Sequence, residues 1–155
     1  MAQEIERKFL VLSDEYKQLT TKVHYHQGYI PTVNGMTVRI RIAGDSAFIT
    51  MKDHAVGFTR HEFEYPIPVD DAKQMLELVC AKPQIEKYRY VIPTDEGLHW
   101  EVDEFLGDNE GLVIAEIEVP SEDTDFILPS WIGQEVTGDK RYYNSHLCNN
   151  PYKNW

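Results

Sequence analysis

The sequence predicts a mostly-β fold of the α+β kind, with about eight antiparallel strands that close into a barrel or split into a sandwich. Three observations predict it. Apolar and charged residues alternate with a period of two through most of the chain, and helical spacing surfaces only in short stretches. The alternating runs are short and are divided by turn residues such as Asn34-Gly35 and Gly44-Asp45-Ser46. Apolar residues make up 42% of 155 residues, enough for the core of one domain. No apolar run approaches the ~20 residues of a membrane-spanning helix.

The elements follow in order. Residues 3–11 alternate, as do 23–32. Asn34-Gly35 then marks a hairpin turn into the run 36–44, and the turn after it leads to 47–53. The fifth run, 58–67, ends at Pro66 and Pro68. Spacing becomes helical over 70–81, where Ala72, Met75, Leu76 and Val79 form a stripe and Asp70 or Asp71 is placed to cap the start. Strands return at 84–93, 98–105 and 112–120. Residues 121–127 read as a short helix capped by Ser121, and 139–148 as another capped by Asp139. The last seven residues, 149–155, read as a tail.

Charge and cysteine usage narrow the class. With 26 acids against 15 bases the net charge is −11, which disfavours binding to a nucleic-acid duplex. A local basic site can still hide in that sum. Cys80 and Cys148 fit no metal spacing and no disulfide framework, and the charged N-terminus has no apolar core of a signal peptide. A cytoplasmic protein that does not engage membranes is expected.

The alternation has an unusual charged face. Glu4, Glu6 and Lys8 oppose Ile5 and Phe9; Arg39 and Arg41 oppose Val38, Ile40 and Ile42. Lys52, the set Arg60, Glu62 and Glu64, the pair Lys87 and Arg89, the pair Glu101 and Asp103, and the pair Glu116 and Glu118 each share one strand face. A half-buried sheet with one wet face would give the same alternation. Three details argue for an inward charged face. Arg, suited to bidentate phosphate contacts, is concentrated there. Bases and acids segregate onto different strands, so like charges repel unless something bound offsets them. Carboxylates two apart recur, and such a pair can converge on one hard cation. A barrel lined this way suits a divalent metal on one wall and polyphosphate on the other.

The motif "EIERK" at 4–8 resembles the ExExK signature of the CYTH domain superfamily, the triphosphate tunnel metalloenzymes. "RIR" (39–41), "TMK" (50–52), "EFE" (62–64), "EKYR" (86–89), "WEVDEF" (100–105), "EIE" (116–118) and "DKRYYN" (139–144) extend the match, in order, over about 140 residues. The short bacterial inorganic triphosphatases are the most similar subgroup. The resemblance implies an eight-stranded antiparallel closed barrel, over 1–148 with 149–155 as tail, forming a tunnel with a few helices outside and at one mouth. It implies a metal-dependent hydrolase acting on inorganic triphosphate or nucleoside triphosphates, with one or two Mg²⁺ or Mn²⁺ ions.

Carried over residue by residue, Glu4, Glu6, Glu116 and Glu118 match metal ligands. Lys8, Arg39, Arg41, Lys52, Lys87 and Arg89 match triphosphate-binding bases, and Lys140 matches another at the tunnel mouth. Arg60, Glu62, Glu64, Glu101, Asp103 and Arg141 match lining positions, and Tyr29 matches a tyrosine beside the lysine equivalent to Lys87. Two ways of activating water stay open. One is a second metal, or a carboxylate near Glu62, Glu64 or Asp103; the other is Lys87 restrained by Tyr29. Arg7, on the opposite parity, has no role in this scheme, and the six histidines fit no metal spacing.

The competing functions are a class IV adenylate cyclase, a carrier of apolar ligands and a polyphosphate-binding module without catalysis. The compact chain shows no added pocket for adenosine, an apolar carrier would have an apolar lumen, and a binding module would lack the four metal carboxylates. A small-molecule triphosphate is the expected partner, with homodimerisation left open.

Overall fold

The computed structural model describes residues 2–54, 56 and 59–155, with side chains for all of these except residues 2–4 and 59. Among the described residues there are nine strands: β1 (Ala2–Val11), β2 (Lys22–Ile30), β3 (Thr37–Ala43), β4 (Ser46–Lys52), β5 (Thr59–Ile67), β6 (Ile85–Pro93), β7 (His99–Phe105), β8 (Val113–Glu118) and β9 (Ile132–Glu135). They form one antiparallel sheet in the order β5-β4-β3-β2-β6-β7-β8-β1-β9. Two α-helices accompany it, α1 (Val69–Leu78) and α2 (Asn144–Leu147).

All eight expected strands are there, with ends shifted by a residue or two. Phe58, where the fifth was expected to start, lies outside the described residues. The ninth strand corrects the expected count of eight. β9 is only "IGQE", too short and too polar to show alternation, and it is defined by its partner: Val11 faces Ile132 and Phe9 faces Glu135. The hairpin turns are as expected. Asn34 and Gly35 both adopt positive φ (60° and 71°), as a tight primed turn requires, and Gly44 does so at 58°.

The helices are shorter than helical spacing suggested. α1 is preceded by Pro68 at its cap position, so Asp70 and Asp71 sit in the first turn and face the positive end of the helix dipole. Val79, expected in the buried stripe, is half-exposed at the helix end. Residues 121–127 form a turn, because Thr124 Oγ1 accepts from Ser121 N (3.2 Å) and satisfies the backbone locally. The 139–148 segment splits into a 3-10 turn at Lys140–Tyr142, capped by Asp139 accepting from Arg141 N, and then α2. Residues 149–155 pack back on the domain: Tyr152 N donates to Asn109 Oδ1 (2.8 Å) and the Trp155 ring meets Tyr142 edge-on.

β1 is shared among three neighbours, β9 at its end and two others along it. Its first half, Ala2–Ile5, pairs with β5, and Glu6–Leu10 pairs with β8. The strand that heads the sheet order, β5, thus also pairs with the start of β1, and the sheet is curled without being a closed barrel.

The two parities separate as expected for an inward charged face. Ile5, Phe9, Tyr90, Trp100, Val102 and Ile117 are buried on the convex side beneath Tyr16, Phe126 and Trp131. Trp100 meets Phe9, Phe126 and Trp131 at ring separations of 5.5, 5.8 and 6.0 Å. α1 covers the convex side of β3 and β4, packing Ala72 and Leu76 on Ile40 and Ala47. The opposite parity lines the concave face. At one end that parity turns apolar: Leu10, Ile85, Phe105 and Ile114 pack with Val136, Tyr142 and Leu147 from the C-terminal segment. This cluster fills the concave face at that end and sets the floor for what lies above it.

Candidate functional site

Above the floor is a cavity of about 230 Å³. Among the described side chains, seven bases line it: Lys8, Arg39, Arg41, Lys52, Arg60, Lys87 and Arg89. Six acids join them: Glu6, Glu62, Glu64, Glu101, Glu116 and Glu118. Strand register produces the grouping. Glu6 faces Glu118 and Lys8 faces Glu116 across β1 and β8, Arg39 faces Tyr29 across β2 and β3, and Lys52 faces Glu62 across β4 and β5.

On the β1/β8 wall, Lys8 is buried with Nζ 2.5 Å from Glu116 Oε1 and 3.6 Å from Glu6 Oε1. Burial works against its charge, but Glu116 and Glu6 outweigh it and hold its pKa above that of an ordinary lysine. On the β6/β7 wall, Asp103 is 1% exposed and accepts from Arg89 Nε (2.8 Å), Arg89 NH2 (2.9 Å) and Lys87 Nζ (2.7 Å). Burial alone would raise the Asp103 pKa; Arg89 and Lys87 overturn that and hold it far below the usual carboxylate range. Arg89 also reaches Glu101 (3.2 Å).

Lys87 is fully buried, at 0% exposure, and donates to Asp103 and to Asn144 Oδ1 (2.8 Å). Burial pushes its pKa down to about 7; Asp103 opposes this, and Arg89 and Arg41 add to it. Arg41 is similarly lowered, to about 9, by burial and by Arg39 and Arg89 beside it. The rings of β2 help to crowd these cations together, with the guanidiniums of Arg41 and Arg89 lying 4.9 and 4.8 Å from the centre of Tyr25. Arg39 leaves its buried Nε without a hydrogen-bond partner. Packed cations with lowered pKa values and an unsatisfied donor suit the binding of an anion.

The structure thus brings together most of the expected residues and sets Asp103, Lys140 and Arg141 apart. Asp103 lies behind the cavity wall, holding Lys87 and Arg89 from beneath. Lys140 is exposed and does not line the cavity. The Glu4 side chain lies outside the described residues, although its backbone pairs with Arg60. Tyr29 lines the cavity, yet among the described residues its hydroxyl accepts from Gln27 Nε2 (3.0 Å) and makes no hydrogen bond to Lys87. Arg141 turns away, paired with Asp139 and stacked on Trp155. Arg7 now has a partner on the convex side, donating twice to Glu135 of β9 (2.5 and 2.7 Å) over the Phe126 ring. Gln27, Tyr25 and Asn144 were missed. Gln27 and Tyr25 share the parity of Tyr29, which was the available signal; Asn144 closes the "DKRYYN" motif at 139–144, which was its signal, but no role was attached to it.

The CYTH domain model matches residues 2–143. The chain belongs to the CYTH domain family. Two relatives span nearly the same length as this CYTH chain. An inorganic triphosphatase of Acetivibrio thermocellus is 54% identical over 155 residues, covering 100% of this chain and 99% of that protein. An inorganic triphosphatase of Nitrosomonas europaea is 39% identical over 148 residues, covering 94% and 96%. The crystal structure of an inorganic triphosphatase matches with a TM-score of 0.67 at 36% identity, covering 96% of this chain and 95% of that one.

CYTH triphosphatases are typically metal-dependent. Among the described residues no group of three or more His, Cys, Asp or Glu converges on one point. The donor chemistry nevertheless fits a hard cation. Glu6, Glu116 and Glu118 supply carboxylate oxygens to one cavity, and the Lys8 ammonium already sits as a cation between two of them. Among the described residues, no helix is long and apolar enough to cross a membrane.

Proposed function

We propose that this CYTH chain is a metal-dependent inorganic triphosphatase, cleaving a terminal phosphoanhydride bond inside an eight-stranded tunnel with β9 outside it. The observation that carries the proposal is the wall of seven bases around a cavity of about 230 Å³, in which burial first, and neighbouring arginines after it, lower the pKa of Arg41 and Lys87. Triphosphate carries about four to five negative charges and little bulk, so it suits both the charge and the size. The cavity is smaller than the ~300–1,000 Å³ of ordinary organic-ligand pockets, which argues against a nucleotide held for cyclisation. The two full-length relatives named as inorganic triphosphatases support the same substrate. The pairing of β1 with β5 supports the tunnel, and residues 1–148 act as its single domain.

Glu6, Glu116 and Glu118, with Glu4, are the residues to hold Mg²⁺ or Mn²⁺. When bound, the metal neutralises phosphate charge and fixes the phosphate oxygens. Arg39, Arg41 and Arg89 grip the phosphates, with Lys8, Lys52 and Arg60 completing the cradle and Lys140 at the mouth. Lys87 is the general base. Its amine is neutral for much of the time near neutral pH, and it takes a proton from the attacking water as the new P–O bond forms. The bridging P–O bond breaks, and pyrophosphate leaves with the electron pair. Asp103 is unsuited to that task, because Arg89 and Lys87 occupy both its oxygens. Glu62 and Glu64 line the opposite wall, Glu64 accepting from Thr50 (2.9 Å), and Tyr29 lines the cavity near the base.

The test is phosphate release from triphosphate, ATP and pyrophosphate with Mg²⁺ or Mn²⁺, for wild type, Glu6→Gln and Lys87→Ala. Triphosphate should be the best substrate, and each variant should lose activity by about 10²-fold or more. Undiminished turnover in both variants would sink the assignment.

A further inference from the structure

Resting on the reading of Lys87 as the base, a chain of hydrogen bonds beneath the cavity says how that base is aimed. Arg41 Nε can only donate, and it meets Gln27 Oε1 at 3.0 Å. That contact fixes the orientation of the fully buried Gln27 amide and leaves its Nε2 to donate to Tyr29 OH (3.0 Å) and to Asn144 Oδ1 (3.3 Å). An amide nitrogen that donates requires an oxygen opposite it, so Asn144 must present its carbonyl to Gln27 and, on the same atom, to Lys87 Nζ at 2.8 Å.

The Lys87 amine then has two acceptors on the protein side, Asp103 and Asn144. A neutral amine owns two N–H bonds and one lone pair in tetrahedral array. Saturating both N–H bonds with acceptors leaves the lone pair one direction, away from both. Lys87 also lines the cavity, so that direction opens on the substrate. If Asn144 were turned the other way, its NH2 would face the amine and claim the lone pair.

We propose that Asn144 is a positioning residue, whose side-chain carbonyl, turned by Gln27 and Arg41, aims the Lys87 lone pair into the cavity. It is carried on α2, which Leu147 anchors at 1% exposure in the apolar floor. The same relay ties the base to a phosphate-binding arginine, because Arg41 sets the orientation of Gln27 and so of Asn144.

The experiment compares Asn144→Leu and Asn144→Asp with wild type and Lys87→Ala, measuring kcat and KM for triphosphate with Mg²⁺ from pH 5.5 to 10. The charged groups facing Lys87 are Asp103, Glu116, Arg41 and Arg89, all unchanged in these variants. Asn144→Leu, which loses the acceptor, should lower kcat on the order of tenfold to a hundredfold with KM within about threefold. Asn144→Asp keeps an acceptor and adds a negative charge, which favours the ammonium. The acid limb of its kcat profile should move up by about one pH unit or more, with near wild-type rate on the alkaline side. A structural role alone would not move that limb. A wild-type kcat in Asn144→Leu, or a uniform loss in Asn144→Asp with no shift of the limb, overturns the proposal while an inactive Lys87→Ala leaves the base intact. An active Lys87→Ala overturns both. If Asn144→Leu does not fold, the Asn144→Asp profile decides.

Discussion

Lys87 has no solvent exposure, and Asp103, the carboxylate to which it is hydrogen-bonded among the described residues, is also held by Arg89. Burial is therefore the largest influence on its amine, and its pKa falls to about 7. For a base the sign is direct: as pH falls through that value the amine is protonated and cannot accept a proton from water. The acid limb of kcat/KM, which reports the free enzyme, should centre near pH 7 after allowance for ionisation of the triphosphate. A pH–rate series checks this, and a limb near the ordinary lysine value of ~10.4 would contradict it. At this scale the sequence was informative about which residues gather and silent about how they pair. Alternation placed Lys87, Arg89, Glu101 and Asp103 on one face. It could not say that Asp103 stands behind the wall, because inward parity is shared by residues that reach the cavity and residues that stop beneath it. Arg7 was unreadable for a different reason. Its partner Glu135 lies in a strand of four residues with no pattern of its own.

At the scale of elements, α1 crosses the convex side of β2 at Gly28. A Cβ there would lie 3.0 Å from Leu76 Cδ2, 3.1 Å from Cys80 Cβ and 3.2 Å from Gln84 Cδ. The glycine is required by that close approach, since its φ is ordinary. Gly28→Ala should destabilise by about 1–3 kcal/mol through overpacking, read as a lowered Tm. Activity at low temperature should persist, because residue 28 points away from Gln27 and Tyr29. The strands were legible because period two is a strong signal and the turns carried glycine and asparagine where positive φ is needed. The short helices were less so. Ser121 and Asp139 are good caps, but a cap announces a helix only if an apolar face follows, and after Ser121 the chain satisfies its own backbone instead.

For the whole molecule, charge is sorted by location. Among the described side chains the cavity is lined by seven bases against six acids, while the whole chain has 15 against 26. A small anion is attracted by the lining and repelled by the exterior, and salt screens both. The lining is buried and narrow, so its pull is the less screened of the two at moderate salt; at high salt the ion pairing with substrate weakens in turn. KM for triphosphate should rise severalfold between about 0.05 and 0.5 M salt with a smaller change in kcat, in a salt titration using a chloride that does not compete for the metal. An unchanged KM would mean that the arginines contribute shape without charge. Net charge alone, −11, gave no hint of this sorting; only the parity of the strands did.

The sharing of β1 between β5, β8 and β9 also sets a timetable for synthesis. Lys8 and Glu116 are 108 residues apart, and Arg7 and Glu135 are 128 apart. β1 thus finds β5 early in synthesis but waits for β8 and β9 until more than 100 further residues have emerged, on the order of ten seconds at ~5–20 residues per second. Glu6 and Lys8 are made long before Glu118 and Glu116, the residues they face, and a nascent chain holds no working site until β8 is out.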